Sequence, residues 1–129
     1  MNHAYIYDCV RTPRGKGKPT GKIHSQRPID LAASTLTALK NRNNLDTSLV
    51  EDVVLGCVTQ VAEQGGCVAK ASAMHADFDQ KVAGVTLNRY CGSGLQAINQ
   101  SANSIISGFS NLIIAGGVES MSRVPFGTD

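Results

Sequence analysis

The segment Asn88-Arg89-Tyr90-Cys91-Gly92-Ser93-Gly94-Leu95 holds the residues best suited to chemistry. It follows a strand-like run, Val85-Thr86-Leu87, and precedes a helical one, so Cys91 falls at a strand-to-helix turn. A helix start presents unpaired N–H groups and the positive end of the peptide dipole. Both favour the thiolate, the nucleophilic form of cysteine. Gly92 and Gly94 carry no side chains, which leaves room for a substrate carbonyl to approach. The Cys91 N–H is placed to help form an oxyanion hole. The same pattern also fits a plain cysteine packed in a tight turn, and the residue chemistry by itself leaves both readings open. The serine-hydrolase elbow is excluded, because G-x-S-x-G needs glycine two places before Ser93, where Cys91 stands.

The other candidates are weaker. Gly15-Lys16-Gly17-Lys18-Pro19-Thr20-Gly21-Lys22-Ile23 hints at a phosphate-binding loop. Its glycine spacing is one residue too long, however, and Ile23 stands where the magnesium-binding Ser or Thr belongs. A solvated basic loop is the simpler reading, with attraction of a polyanion as the functional one. Glu119, Asp8 and Asp30 show no spacing of a catalytic carboxylate pair, which leaves solvated or capping roles. Arg89 is expected to pair with an acid or a partner subunit, and His75 to close a helix. Met74 and Met121 are expected to pack.

Composition bounds the setting. The chain has 129 residues, 42% of them hydrophobic and none tryptophan, enough for one α/β domain with an aliphatic core. The net charge of +2 does not argue for nucleic acid. Six of the twelve basic residues fall between Arg11 and Arg27, a stretch with no acidic residue. Of the four cysteines, none forms a C-x-x-C pair, so a zinc or redox motif is not expected. Cys9 and Cys57 lie in apolar runs and are expected to pack as small hydrophobes. No run reaches the length of a membrane span and the start is not a signal peptide, so free thiols in the cytoplasm are the expectation.

Positioning Cys91 requires the elements around it. Ala4 to Val10 reads as a strand, broken at Thr12-Pro13. Pro28 and Asp30 open a helix whose apolar residues Ile29, Ala32, Ala33, Leu36 and Leu39 recur at three and four, and Asn41 to Asn44 ends it. Val53 to Val61 is a second strand, Cys67 to His75 an Ala-rich helix, and Val82 to Leu87 a third strand. Leu95, Ile98, Ala102, Ile105 and Ile106 mark one face of the helix after Cys91, which Gly108 stops. Leu112 to Ala115 is a last strand, ended by Gly116-Gly117. The order β-α-β-α-β-α-β predicts an α/β fold with a mostly parallel sheet and helices on both faces.

Three stretches carry a family resemblance. Asn88 to Ile98, Asn-Arg-Tyr-Cys-Gly-Ser-Gly-Leu-Gln-Ala-Ile, closely resembles the nucleophile segment of thiolases. Ala115 to Ser122, Ala-Gly-Gly-Val-Glu-Ser-Met-Ser, and Arg11 to Gly15, Arg-Thr-Pro-Arg-Gly, resemble two further thiolase segments in the same order. The resemblance implies an acyltransferase in which Cys91 carries the acyl group. Its substrates are coenzyme A thioesters: 3-ketoacyl-CoA is cleaved with CoA, or two acetyl-CoA are condensed. No covalently bound cofactor and no metal are implied. It further implies a homodimer or homotetramer, with neither nucleic acid nor membrane as partner. Residues 1–129 then correspond to an incomplete thiolase amino-terminal domain, without the loop domain and the carboxy-terminal half.

The resemblance also implies a histidine in a Gly-His-Pro context and a second cysteine followed by glycines. His3, His24 and His75 lack the first context, and Cys9, Cys57 and Cys67 lack the second. An inactive fragment or structural half that needs a partner chain is therefore an alternative. A ketoacyl-synthase-like condensing enzyme is another, disfavoured by the Arg-Thr-Pro and Glu-Ser-Met-Ser stretches.

Overall fold

A computed structural model describes residues 3–129. In chain order it contains helix α1 (Pro28–Arg42), strand β1 (Asp52–Gly56), helix α2 (Val68–His75), strand β2 (Ala83–Leu87), helix α3 (Ser93–Ile106) and strand β3 (Ile113–Gly117). The strands form one parallel sheet in the order β2-β1-β3, with Gly56 in register with both Leu87 and Gly117. The chain steps from β1 to β2 on one side, then back across to β3 on the other. Right-handed crossovers in opposite directions put α2 and α3 on opposite faces. All three strands therefore end on one side of the molecule, and the connections that leave them share that end.

Each face packs by a different rule. On one face Val53 and Leu55 join Ala32, Ala33 and Leu36 of α1 and Ala69 of α2 in the aliphatic core. Gly84 lets the backbone of α2 come close, since a Cβ there would stand 2.6 Å from the Cα of Lys70. Two side chains from outside α2 complete its ends. The Thr86 hydroxyl accepts from the Ala69 N–H at 3.2 Å, and the Lys40 ammonium donates to the Ala76 carbonyl at 2.8 Å.

On the other face α3 buries Ser93, Ala97 and Ser101, not its large residues. The expected apolar stripe is corrected here: Leu95, Ile98 and Ile106 are exposed. The reason is steric. The sheet offers glycines at 56 and 117 on this face, and a helix settles on bare backbone through its smallest side chains. A Cβ on Gly56 would lie 2.4 Å from the carbonyl carbon of Ser93.

The first expected strand is a second correction. Ala4 to Val10 joins no ladder, and Tyr5, Ile6 and Tyr7 are exposed. A strand needs a neighbour for its N–H and C=O groups. Here a cleft of about 1170 Å³ separates this segment from β3. The segment is moored at Asp8, which accepts from Asn43 at 2.9 Å and pairs with Arg42 at 3.1 Å. The second expected strand is shorter than its apolar run, because the N–H groups of Val58 and Thr59 turn to a carboxylate instead of a strand. Cys57 is buried as expected, whereas Cys9, Met74 and Met121 are exposed.

Candidate active site at the carboxyl ends of the strands

Three connections leave the sheet at its shared end: Cys57 to Gln64 after β1, Asn88 to Gly92 after β2, and Val118 to Ser122 after β3. Backbone bonds extend the sheet by one residue into two of them, from Cys57 N to Leu87 O and from Val118 N to Gly56 O, both 3.0 Å.

Asn88 to Gly92 is a tight turn held at almost every atom except those of Cys91. The Asn88 side-chain oxygen accepts from the Tyr90 N–H at 2.8 Å. This local bond favours a left-handed Tyr90, whose φ is +47°, a conformation that costs a residue with a Cβ about 1–2 kcal/mol. The Ser93 hydroxyl accepts from Arg89 N at 2.8 Å and donates to Tyr90 O at 2.6 Å. Gly92 N donates to Arg89 O at 3.0 Å. Cys91 is exposed, and its N–H and sulfur make no hydrogen bond among the described residues. Helix α3 begins at Ser93, two residues on, so Cys91 lies just before a helix start. The expected strand-to-helix placement of Cys91 is thus observed.

The expected neighbours divide. Arg89 makes no ion pair among the described residues, although its backbone shapes the turn. His75 does close α2, with Nε2 2.9 Å from Asp30. His24 lies in the basic loop, where its carbonyl accepts from Arg123 at 2.9 Å. None of these histidines bonds to Cys91. The basic loop is a run of turns with no helix start inside it, which agrees with its failure as a phosphate loop. Among the described residues no group of three or more His, Cys, Asp or Glu is placed to hold a metal ion. No helix there is long and apolar enough to cross a membrane.

Glu119 departs from its expected role. Its carboxylate accepts from Val58 N at 2.7 Å, Thr59 N at 3.4 Å and Gln64 Nε2 at 2.7 Å. Gln64 is fully buried and uses its amide on both sides. Nε2 also donates to Thr59 O at 2.8 Å, and Oε1 accepts from Ser120 N at 2.6 Å. The connections after β1 and β3 are thereby tied together. One sequence signal could have pointed here: an acid and a buried-type amide beside strand ends of a parallel sheet, where α/β folds place their sites. Cys57, next to this knot, has its thiol pushed up to about 12, first by burial and then by the charge of Glu119.

Comparison with known proteins identifies the family. The family model described as thiolase, N-terminal domain, matches residues 4–129. The chain is 43% identical over 126 residues to a 3-ketoacyl-CoA thiolase of Shewanella loihica, covering 97% of this chain and 32% of that protein. It is 46% identical over 127 residues to a 3-oxoadipyl-CoA/3-oxo-5,6-dehydrosuberyl-CoA thiolase of Escherichia coli, covering 98% of this chain and 31% of the relative. The crystal structure of the Bacillus anthracis acetyl-CoA acetyltransferase superposes with a TM-score of 0.76 at 34% identity, over 84% of this chain and 27% of that one. The chain spans about a third of the length of the curated relatives it matches. With a family model covering nearly every residue, this chain belongs to the thiolase family.

Proposed function

We propose that this chain supplies the nucleophile of a thiolase-type acyl transfer, with Cys91 as the acyl carrier and coenzyme A thioesters as substrates. The observation that carries this reading is the turn itself. An exposed thiol with no hydrogen-bond partner lies just before a helix start, inside a turn whose neighbouring residues are tied by hydrogen bonds. In the degradative direction the Cys91 thiolate attacks the keto carbonyl of a 3-ketoacyl-CoA. The bond between C2 and C3 breaks, its electron pair stays on C2, and protonation there releases acetyl-CoA. The shortened acyl group remains on sulfur until the thiol of CoA takes it and returns the Cys91 thiolate. Condensation of two acetyl-CoA runs the same steps backwards. In this reading the Cys91 N–H donates to the oxyanion in either direction. The basic stretch from Arg11 to Arg27 would draw in a polyanion such as CoA.

No histidine or second thiol is bonded to Cys91, which favours a second statement: the isolated 129-residue chain does not turn over. The proton acceptor and donor then come from residues beyond this chain, in a longer protein or a partner. A homodimer or homotetramer in the cytoplasm belongs to the same proposal. Strand β2, which precedes the Cys91 turn, lies at the sheet edge and is a natural pairing surface.

The decisive experiment gives labelled acetyl-CoA to the protein completed by its missing part and maps the modified peptide. Label on Cys91, lost in Cys91→Ser, is expected. Stable label on another cysteine would remove the assignment. A thiolysis assay of the 129-residue chain alone is expected to give no turnover, and ordinary turnover would refute the second statement.

A further inference from the structure

We propose that Glu119, Gln64 and Asn88 are positioning residues for Cys91, forming one hydrogen-bonded brace that reaches the nucleophile turn from the far side of the sheet. The proposal rests on the reading of Cys91 as nucleophile. The brace can be followed atom by atom. Ser120 N donates to buried Gln64 Oε1, and Gln64 Nε2 donates to Glu119 Oε1. Glu119 Oε2 accepts from Val58 N. The carbonyl of the same residue, Val58, accepts from Asn88 Nδ2 at 3.1 Å. Asn88 Oδ1 accepts from Tyr90 N, the residue before Cys91. Connections after all three strands are thus joined in series, and the series ends one peptide from the thiol.

Two features set this brace apart from ordinary loop packing. The first is cost. Gln64 is a fully buried amide, and burying one is unfavourable unless its donors and acceptor are matched. An apolar side chain would fill that volume more cheaply, whereas only an amide can accept from Ser120 and donate to Glu119 together. The second is direction. Asn88 divides its amide, with the nitrogen on the β1 connection and the oxygen on Tyr90, so a shift at Val58 moves the bond that holds Tyr90 left-handed. Tyr90 in turn sets where the Cys91 sulfur points relative to the start of α3.

The test uses the full 129-residue chain and the rate of iodoacetamide alkylation at Cys91 relative to Cys9, both exposed and both read by peptide mapping at one fixed pH. Asn88→Ala removes both arms of the brace. It is expected to lower the Cys91-to-Cys9 ratio about two- to fivefold, the scale of a charge losing its place at a helix terminus. Asn88→Asp keeps the oxygen for Tyr90 N but not the donor to Val58, and is expected to restore part of the ratio. Glu119→Ala, which touches neither Asn88 nor Cys91, is expected to lower the ratio as Asn88→Asp does. If Glu119→Ala does not fold at the assay temperature, Glu119→Gln is read in its place. A folded Glu119 variant with an unchanged ratio would overturn the proposal and leave the brace a purely stabilising feature. So would an Asn88→Asp ratio no better than that of Asn88→Ala. Because the probe is iodoacetamide, a failure of acetyl-CoA to label Cys91 would leave this measurement standing.

Discussion

Two cysteines stand just beyond the carboxyl ends of neighbouring parallel strands, and they stand in opposite surroundings. Cys57 follows β1 in the centre of the sheet, is 1% exposed, and its thiol is pushed up to about 12. Cys91 follows β2 at the edge, is exposed, and sits at the start of α3. The strand end is common to both, so it does not decide reactivity. What decides it is what comes next. After β1 the chain runs under the Glu119 and Gln64 knot, where apolar surroundings and a carboxylate both oppose a thiolate. After β2 it turns into the start of α3 and leaves the Cys91 thiol open to solvent.

The largest expected contrast is in native-state thiol labelling. With a thiol at about 12, roughly one Cys57 in 10⁵ is ionised at pH 7, so Cys57 should label only through unfolding. Cys91 should label in the folded chain, and Cys91→Ser should remove that reaction while leaving Cys57 silent. Fast labelling of Cys57 in the native state would break the comparison.

The next prediction attacks the geometry that separates the two cysteines. Gly56→Ala would place a Cβ 2.4 Å from the backbone of Ser93, with nothing flexible to yield. A loss of about 1–3 kcal/mol or more is expected in urea unfolding. Gly94→Ala, whose Cβ would find its nearest neighbour at 3.9 Å, should cost nothing and gain helix propensity. Equal effects from the two would sink the close-approach argument.

Tyr90 gives a finer test. Tyr90→Gly and Tyr90→Ala both remove the exposed ring, but only glycine is at ease at a φ of +47°. The glycine variant is expected to be about 1 kcal/mol the more stable of the two in thermal unfolding.

The smallest effect concerns acid. The Arg27 guanidinium, with help from His75, holds the Asp30 carboxyl well below the usual carboxylate range, and Arg123 holds Glu63 below it. Hydrogen bonds from Asn43 and Asn111 do the same for Asp8 and Glu51. A depressed carboxyl stabilises the fold above its unfolded value, near pH 4, and that stability is lost as pH falls through the folded value. Asp52, raised by burial, has the opposite sign and is relieved by protonation. Melting temperature should therefore fall modestly below about pH 4, while Asp52→Asn should be neutral or slightly stabilising at pH 7. A chain more stable at pH 3 than at pH 6 would refute this balance.

Much of the site's frame was legible because its signals are local. The turn at Cys91, the opening of α1 at Pro28 and the stop at Gly108 each depend on a few adjacent residues, and all three stand where expected. The face of α3 was misread for a physical reason. Periodicity finds the largest apolar residues, but glycines on the sheet selected the smallest ones. The strand at Ala4 to Val10 was overread because extended propensity does not supply a pairing partner. Glu119 was underread because its partners Val58 and Gln64 lie 61 and 55 residues away. No local pattern encodes a bond across that separation, and only the meeting of two strand ends creates it.

The bare contact between Gly56 and the start of α3 has one more consequence. Contacts made by side chains can breathe, since rotamers change with temperature, ligand or neighbouring substitution. A contact made by peptide on peptide has no such freedom. Gly117 reinforces it, since a Cβ there would lie 2.9 Å from the Gly56 carbonyl oxygen and 3.5 Å from the Gly94 Cα. The turn that carries Cys91 is thus mounted on a rigid reference point. Variation in the surrounding loops can proceed without moving the turn that carries the sulfur.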